Sequence, residues 1–230
     1  ADVLFDRVRM QGNLLTPPTT AGTGKACVKL LSSTVNANDL TFLNCEFIGT
    51  PYAFVAEEKA YNVNIRGGLL KTLYRGINLG NGTNTLPPKS FKVSYARFED
   101  IADYGIYSTD ANGGISNIVS AFNTFKEVGN INATSLIHFS GPNCYSIGDM
   151  FERADSDAYP LVELNGKASY VILSDGRILL GNQLTVSGRY SSQALAYNLT
   201  ETATKGISVV WFMFLLIALE LPSQNRNAQT

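Results

Sequence analysis

Leu40-Thr41-Phe42-Leu43-Asn44-Cys45-Glu46-Phe47 is the stretch that decides the fold. Leu40 and Phe42 alternate with polar or outward positions, as on a strand with one buried face. A small residue follows at Cys45, and a bulky apolar one at Phe47. The same order returns as Val63/Ile65/Leu70, Phe91/Val93/Phe98, Ile118/Ser120/Phe125, Cys144/Ser146/Phe151 and Val171/Leu173/Ile178. The last members of these sets lie 23, 28, 27, 26 and 27 residues apart. Two positions before each stands Cys45, Gly68, Ala96, Asn123, Asp149 or Gly176. A short residue at that point fits a tight bend between two strands.

A second strand motif occurs once per cycle: Cys27-Val28-Lys29-Leu30, Phe54-Val55-Ala56, Ile77-Asn78-Leu79, Ile106-Tyr107, Ile137-His138-Phe139, Val162-Glu163-Leu164 and Leu195-Ala196-Tyr197. Turn formers fill the gaps, as in Gly80-Asn81-Gly82-Thr83-Asn84 and Ala111-Asn112-Gly113-Gly114. Short strands recurring at this period form a solenoid, because one coil cannot bury its inner face alone. Stacked coils would place Phe47, Leu70, Phe98, Phe125, Phe151 and Ile178 in one apolar column. The next position outward reads Ile48, Lys71, Glu99, Lys126, Glu152, Leu179. Alternating charges there would pair from coil to coil. The expectation is an all-β, right-handed parallel β-helix of six or seven coils over residues 1–185, with the repeat itself from about residue 3.

The segments from Leu40 to Phe47, Phe91 to Phe98 and Ile118 to Phe125 resemble coils of the parallel β-helix (pectate-lyase-like) superfamily. That superfamily hosts pectinases, lyases, adhesins and bacteriophage tailspikes or fibres. The irregular coil length and the Asn/Gly/Ser/Thr/Tyr-rich texture look most like phage tail appendages. The resemblance implies a homotrimer in a virion, in contact with other virion proteins and binding or degrading cell-surface polysaccharide. A bacterial surface adhesin, extracellular or on the cell surface, is a further reading.

Composition constrains the alternatives. The chain has 230 residues, 18 basic and 19 acidic, with 45% hydrophobic and only 16% charged positions. Such a balance argues against a disordered tail and against nucleic-acid binding through bulk positive charge. Cys27, Cys45 and Cys144 form no CxxC pair, and His138 is the single histidine. No metal site and no cofactor are expected from these residues. The start, Ala-Asp-Val-Leu-Phe, reads as the interior of a longer polypeptide or a processed chain.

A glycosidase needs two carboxylates about 5–9.5 Å apart across one sugar. Asp100, Asp103, Asp110, Asp149, Glu152, Asp155, Asp157 and Asp175 are available, but the Asn-x-Asp, Asp-Asp and Gly-His-Gly motifs of pectinase-like hydrolases do not occur. Glu99 and Glu152 are separated by Lys126 and read as a structural ladder. Asp149 reads as a turn former, and His138 as outward-facing between Ile137 and Phe139. The reading leans away from an enzyme, with a polysaccharide hydrolase or lyase as the alternative. Binding has more support: eleven tyrosines and few charges suit a sugar, whose ring stacks on aromatic faces. The candidate glycan-binding residues are Tyr74, Arg75, Asp103, Tyr104, Tyr107 and Asp110, which adjacent coils would bring together.

The repeat fades near residue 185. Residues 186–230 are expected to be a C-terminal cap or oligomer contact containing an unbroken apolar run at residues 209–219. That run is short of the roughly 20 residues of a membrane span, and Glu220 and Pro222 end it.

Overall fold

The computed structural model describes residues 2–200 except 23–24, 31–36, 81–87, 110–114, 130, 133, 142, 153–159, 165–168, 173–177, 182–183, 188–189, 192–193 and 196–197, with backbone alone beyond Glu163. Three parallel sheets run along the molecule. The first contains Ala37–Leu43, Ala60–Arg66, Lys89–Ser94 and Ser116–Ala121. The second contains Glu46–Ile48, Leu69–Leu73, Arg97–Ile101 and Thr124–Val128, and the third Tyr52–Ala56, Arg75–Leu79, Ile106–Ser108 and Ile137–Phe139. Chain order cycles first, second, third, so each cycle is one turn of a parallel β-solenoid. No helix occurs among the described residues.

About four turns make up the solenoid, fewer than the six or seven that the repeat predicts. Further strands join each sheet at both ends, but those outer coils are not equivalent to the four. Val3–Asp6 and Arg9–Gln11 are largely exposed. At the far end Ser169–Ile172 pairs antiparallel with Ile178–Gly181, so the chain there folds back on itself. Ile178 therefore faces Ile172 in the register and does not continue the column above Phe151. Hairpin pairing needs only a short connection, whereas another parallel rung needs a whole further coil.

Inside the four turns the apolar column has the register its spacing implies. Phe47 pairs with Leu70, Leu70 with Phe98, Phe98 with Phe125, and Phe125 with Phe151. Phe98 and Phe125 stack at 4.5 Å between ring centroids. Phe47, Leu70, Phe98 and Phe125 are all fully buried. A side chain of this size contributes about 1.5–3 kcal/mol when it leaves water. Phe42, Ile65 and Val93 from the first sheet, and Phe54, Ile77, Ile106 and Ile137 from the third, close the same core.

The charge ladder follows. Lys71 stands opposite Glu99, Glu99 opposite Lys126, and Lys126 opposite Glu152. Lys71 Nζ lies 3.2 Å from Glu99 Oε2, and Lys126 Nζ 3.5 Å from Glu152 Oε1. Both pairs are partly solvated, so they set register more than they add stability.

The corner between the first and second sheets differs from its sequence reading. The residues in left-handed conformation are Arg7, Asn44, Gly67, Tyr95, Phe122 and Gly148, one position earlier than the small-residue column, which itself has positive φ only at Gly68. Cys45, Ala96, Asn123 and Asp149 are buried, and that is why they are short. They are small because they point into the bend, while the left-handed residue beside them points out and carries any side chain.

The corner column is also a polar ladder. The Ala96 backbone N–H donates to Asn123 Oδ1 at 2.9 Å, and the Asn123 N–H donates to Asp149 Oδ1 at 2.8 Å. Ser120 and Ser146 hydroxyls donate to Asp149 Oδ2 at 2.6 and 2.7 Å. Burial pushes the Asp149 carboxyl up to about 6, against these hydrogen bonds, which pull it down.

Candidate functional site

The third sheet places its middle residues outward. Val55, Asn78, Tyr107, His138 and Glu163 succeed one another in register on adjacent coils, and Tyr52 stands opposite Arg75. The flanking residues Ile77, Ile106, Ile137 and Phe139 are fully buried, so alternation sends the middle side chain out. At the start of the strand Arg75–Leu79 the neighbouring coil comes close. A Cβ on Gly76 would sit 2.4 Å from the Gly105 carbonyl oxygen, so only glycine permits the approach.

Arg75 is the centre of the arrangement. Its Nε–H donates to Asp103 Oδ2, and Nη1 donates to Asn78 Oδ1 at 2.9 Å. The guanidinium carbon lies 4.2 Å from the Tyr107 ring centroid and 5.3 Å from those of Tyr74 and Tyr104. A cation over aromatic faces is attracted by their quadrupoles, more strongly where water is partly excluded. Asp103 is 2% exposed, and Arg75 neutralises it.

Rings continue along the coils on either side. Tyr52 meets Tyr74 edge-on at 5.9 Å, Tyr104 lies 4.6 Å from Tyr107, and Tyr107 stacks on His138 at 5.0 Å. His138 Nδ1 lies 3.1 Å from the Ser108 carbonyl oxygen. A carbonyl only accepts, so Nδ1 carries the proton there and Nε2 faces Glu163 Oε1 at 3.8 Å. Burial raises the Tyr52 and Tyr74 hydroxyls above the usual range, and burial followed by the Asp103 charge takes Tyr104 up to about 12. These hydroxyls stay protonated donors at any physiological pH.

Of the six residues proposed from sequence, Tyr74, Arg75, Asp103, Tyr104 and Tyr107 come together, while Asp110 lies outside the described residues. Tyr52, Asn78, His138 and Glu163 complete the strip. Asn78, His138 and Glu163 are the middle positions of the third-sheet strand motif read down the coils, and Tyr52 joins them opposite Arg75.

The acids considered for chemistry are placed differently from one another. Asp149 is 5% exposed and spends both oxygens on the corner ladder. Asp100 lies 3.5 Å from Lys71 Nζ, and Glu152 belongs to the charge ladder. Asp155, Asp157 and Asp175 lie outside the described residues, as does the apolar run at residues 209–219. Among the described residues, no three His, Cys, Asp or Glu side chains stand close enough together to hold a metal ion. Set against protein-family models, curated proteins and solved structures, the chain matches none.

Proposed function

We propose that this chain is a right-handed β-helix segment of a phage-like tail fibre or spike, which works as a homotrimer and grips a cell-surface glycan along its third sheet. The observation that carries this reading is the strip from Tyr52 to His138, with Arg75 fixed at its centre. Its charge is balanced, since Asp103 cancels Arg75, and its protonated tyrosines and the Asn78 amide offer hydroxyl-matching donors and acceptors. Flat rings beside such groups are what a neutral sugar needs: apolar C–H faces pack on the rings while hydroxyls bond at the edges. Successive coils repeat about 4.8 Å apart, so one extended saccharide meets several rungs.

The alternative is a polysaccharide depolymerase, with an adhesin as a third possibility. One experiment separates binding from cleavage. The chain is incubated with neutral capsule or lipopolysaccharide fragments while both retention and new reducing ends or unsaturated sugars are followed. Binding without cleavage, lost in Tyr104→Ala/Tyr107→Ala, is the expected result. Cleavage abolished by Asp103→Asn would replace the binding reading with an enzymatic one, and a clean monomer at micromolar concentration would remove the trimer.

A further inference from the structure

The first corner of the solenoid, on a different face from the Arg75 strip, carries features that the glycan-binding reading leaves unused. Tyr95 and Phe122 are 58% and 52% exposed and stack on each other at 5.4 Å. Both adopt left-handed backbone conformation, with φ of 57° and 55°. That conformation costs a bulky residue about 1–2 kcal/mol. The same corner position is glycine at 67 and 148, so the bend itself does not need a side chain. Strain kept for two exposed rings points to what the rings present.

Charge supplies the second observation. Lys89 and Lys92 lie on the strand Lys89–Ser94 that ends just before Tyr95, and Arg66 stands one coil below, opposite Ser94. The Arg66 guanidinium carbon lies 6.0 Å from the Tyr95 ring centroid. All three cations are exposed, and none has an acidic partner among the described residues. On the second sheet, by contrast, Lys71, Arg97 and Lys126 each face a carboxylate. Three unpaired cations, two spaced along the strand that ends at the apolar ridge and one against its Tyr95 ring, are a local departure in a chain of formal net charge −1.

We propose that this corner and the strand leading into it form a second binding site, which takes a carboxylate-bearing polysaccharide strand running past Lys89 and Lys92 to Arg66, with Tyr95 and Phe122 as the apolar ridge at its end. Guanidinium and ammonium groups make strong charge-assisted hydrogen bonds to carboxylates. A single-stranded nucleic acid fits less well, because its bases need open ring faces and here the rings face each other.

The test uses the whole chain with three probes: an oligogalacturonate, an uncharged dextran oligomer of matched length, and oligo-dT, each titrated at low and high salt. Oligogalacturonate is expected to bind, more weakly as salt rises. Arg66→Gln/Lys89→Gln/Lys92→Gln should lose at least about tenfold in affinity, roughly 1.4 kcal/mol. Tyr95→Gly/Phe122→Gly should also lose binding while the melting temperature holds, since glycine suits this corner. Tyr104→Ala/Tyr107→Ala should bind oligogalacturonate unchanged, which separates this site from the third-sheet strip. No binding by the unaltered chain, dextran bound as tightly as oligogalacturonate once the strip is disabled by Tyr104→Ala/Tyr107→Ala, tighter binding of oligo-dT, unchanged binding in the triple variant, or loss of oligogalacturonate in Tyr104→Ala/Tyr107→Ala would overturn the proposal.

Discussion

The Asn123 backbone N–H donates to Asp149 Oδ1 at 2.8 Å, and both residues are buried in a corner where, among the described residues, no cation pairs with the carboxylate. Four donors, from Ser120, Ser146, and the backbone and side chain of Asn123, converge on Asp149. They do not offset burial, and the folded carboxyl sits at about 6 against 3.8 for the free group. The folded state thus binds this proton more tightly than the unfolded one. Its contribution is full below pH 3.8 and is lost as pH rises through about 6. The loss is on the order of 3 kcal/mol. Asp149→Asn should remove that slope, because its amide can donate to the two serine hydroxyls and its carbonyl can still accept from Asn123. Melting temperatures across pH 4 to 8 are the measurement: the variant should match the parent near pH 4 and exceed it near pH 7. A parent advantage that grows with pH would refute the assignment.

Removing Arg75 exposes a different weakness. Asp103 would remain almost fully buried with its charge uncompensated, a situation that typically costs about 3–5 kcal/mol. Arg75→Gln should therefore destabilise far more than Arg75→Gln/Asp103→Asn, in which no buried charge is left. Urea unfolding of the two single variants and the double gives the coupling directly. Additive effects would mean that the pair does not act as a unit.

Gly68→Ala tests the corner geometry. Gly68 has φ of +92°, and an added Cβ would sit 2.0 Å from the Cys45 carbonyl oxygen. Alanine already occupies the same column at Ala96, where the backbone is not left-handed. The penalty at 68 is thus one of conformation and backbone clash, and not of side-chain size. A loss above about 2 kcal/mol is expected, beyond the ordinary glycine-to-alanine effect.

The corner also shows how far the sequence could be read. Phe47, Leu70, Phe98, Phe125 and Phe151 aligned because each coil must contribute to one dry column, and a buried face tolerates no slip of register. Lys71, Glu99, Lys126 and Glu152 then fell into place without being used to set the alignment. The left-handed residue escaped, because Tyr95 and Phe122 break the usual association of that conformation with glycine and asparagine. Ile178 misled in the opposite way: its spacing suits a further coil, yet hairpin pairing with Ile172 competes locally and wins. At the candidate site, Tyr74, Arg75, Asp103, Tyr104 and Tyr107 were legible because they lie in or beside the third-sheet strand motif on adjacent coils. Tyr52 and Asn78 join them through the exact register, Tyr52 opposite Arg75 and Asn78 opposite Tyr107, which the motif alone does not single out.

Phe125 offers the sharpest test of the column itself. It stacks on Phe98 at 4.5 Å and lies 5.3 Å from Phe151, so its ring fills space between two neighbouring coils. Phe125→Ala would open a cavity bounded by both rings and by Gly105, whose added Cβ would meet the Phe125 ring at 2.8 Å. A rigid β-stack collapses little around such a gap, so the cost should be about 3–5 kcal/mol. Phe125→Leu should cost less, about 1–1.5 kcal/mol, because Leu70 holds the same column position two coils below. In urea the midpoint should fall in that order, while the denaturant slope stays constant if all coils unfold together. A slope that drops in Phe125→Ala would instead mean that the column's centre couples two halves able to unfold separately, as nearest-neighbour stacking in a solenoid allows.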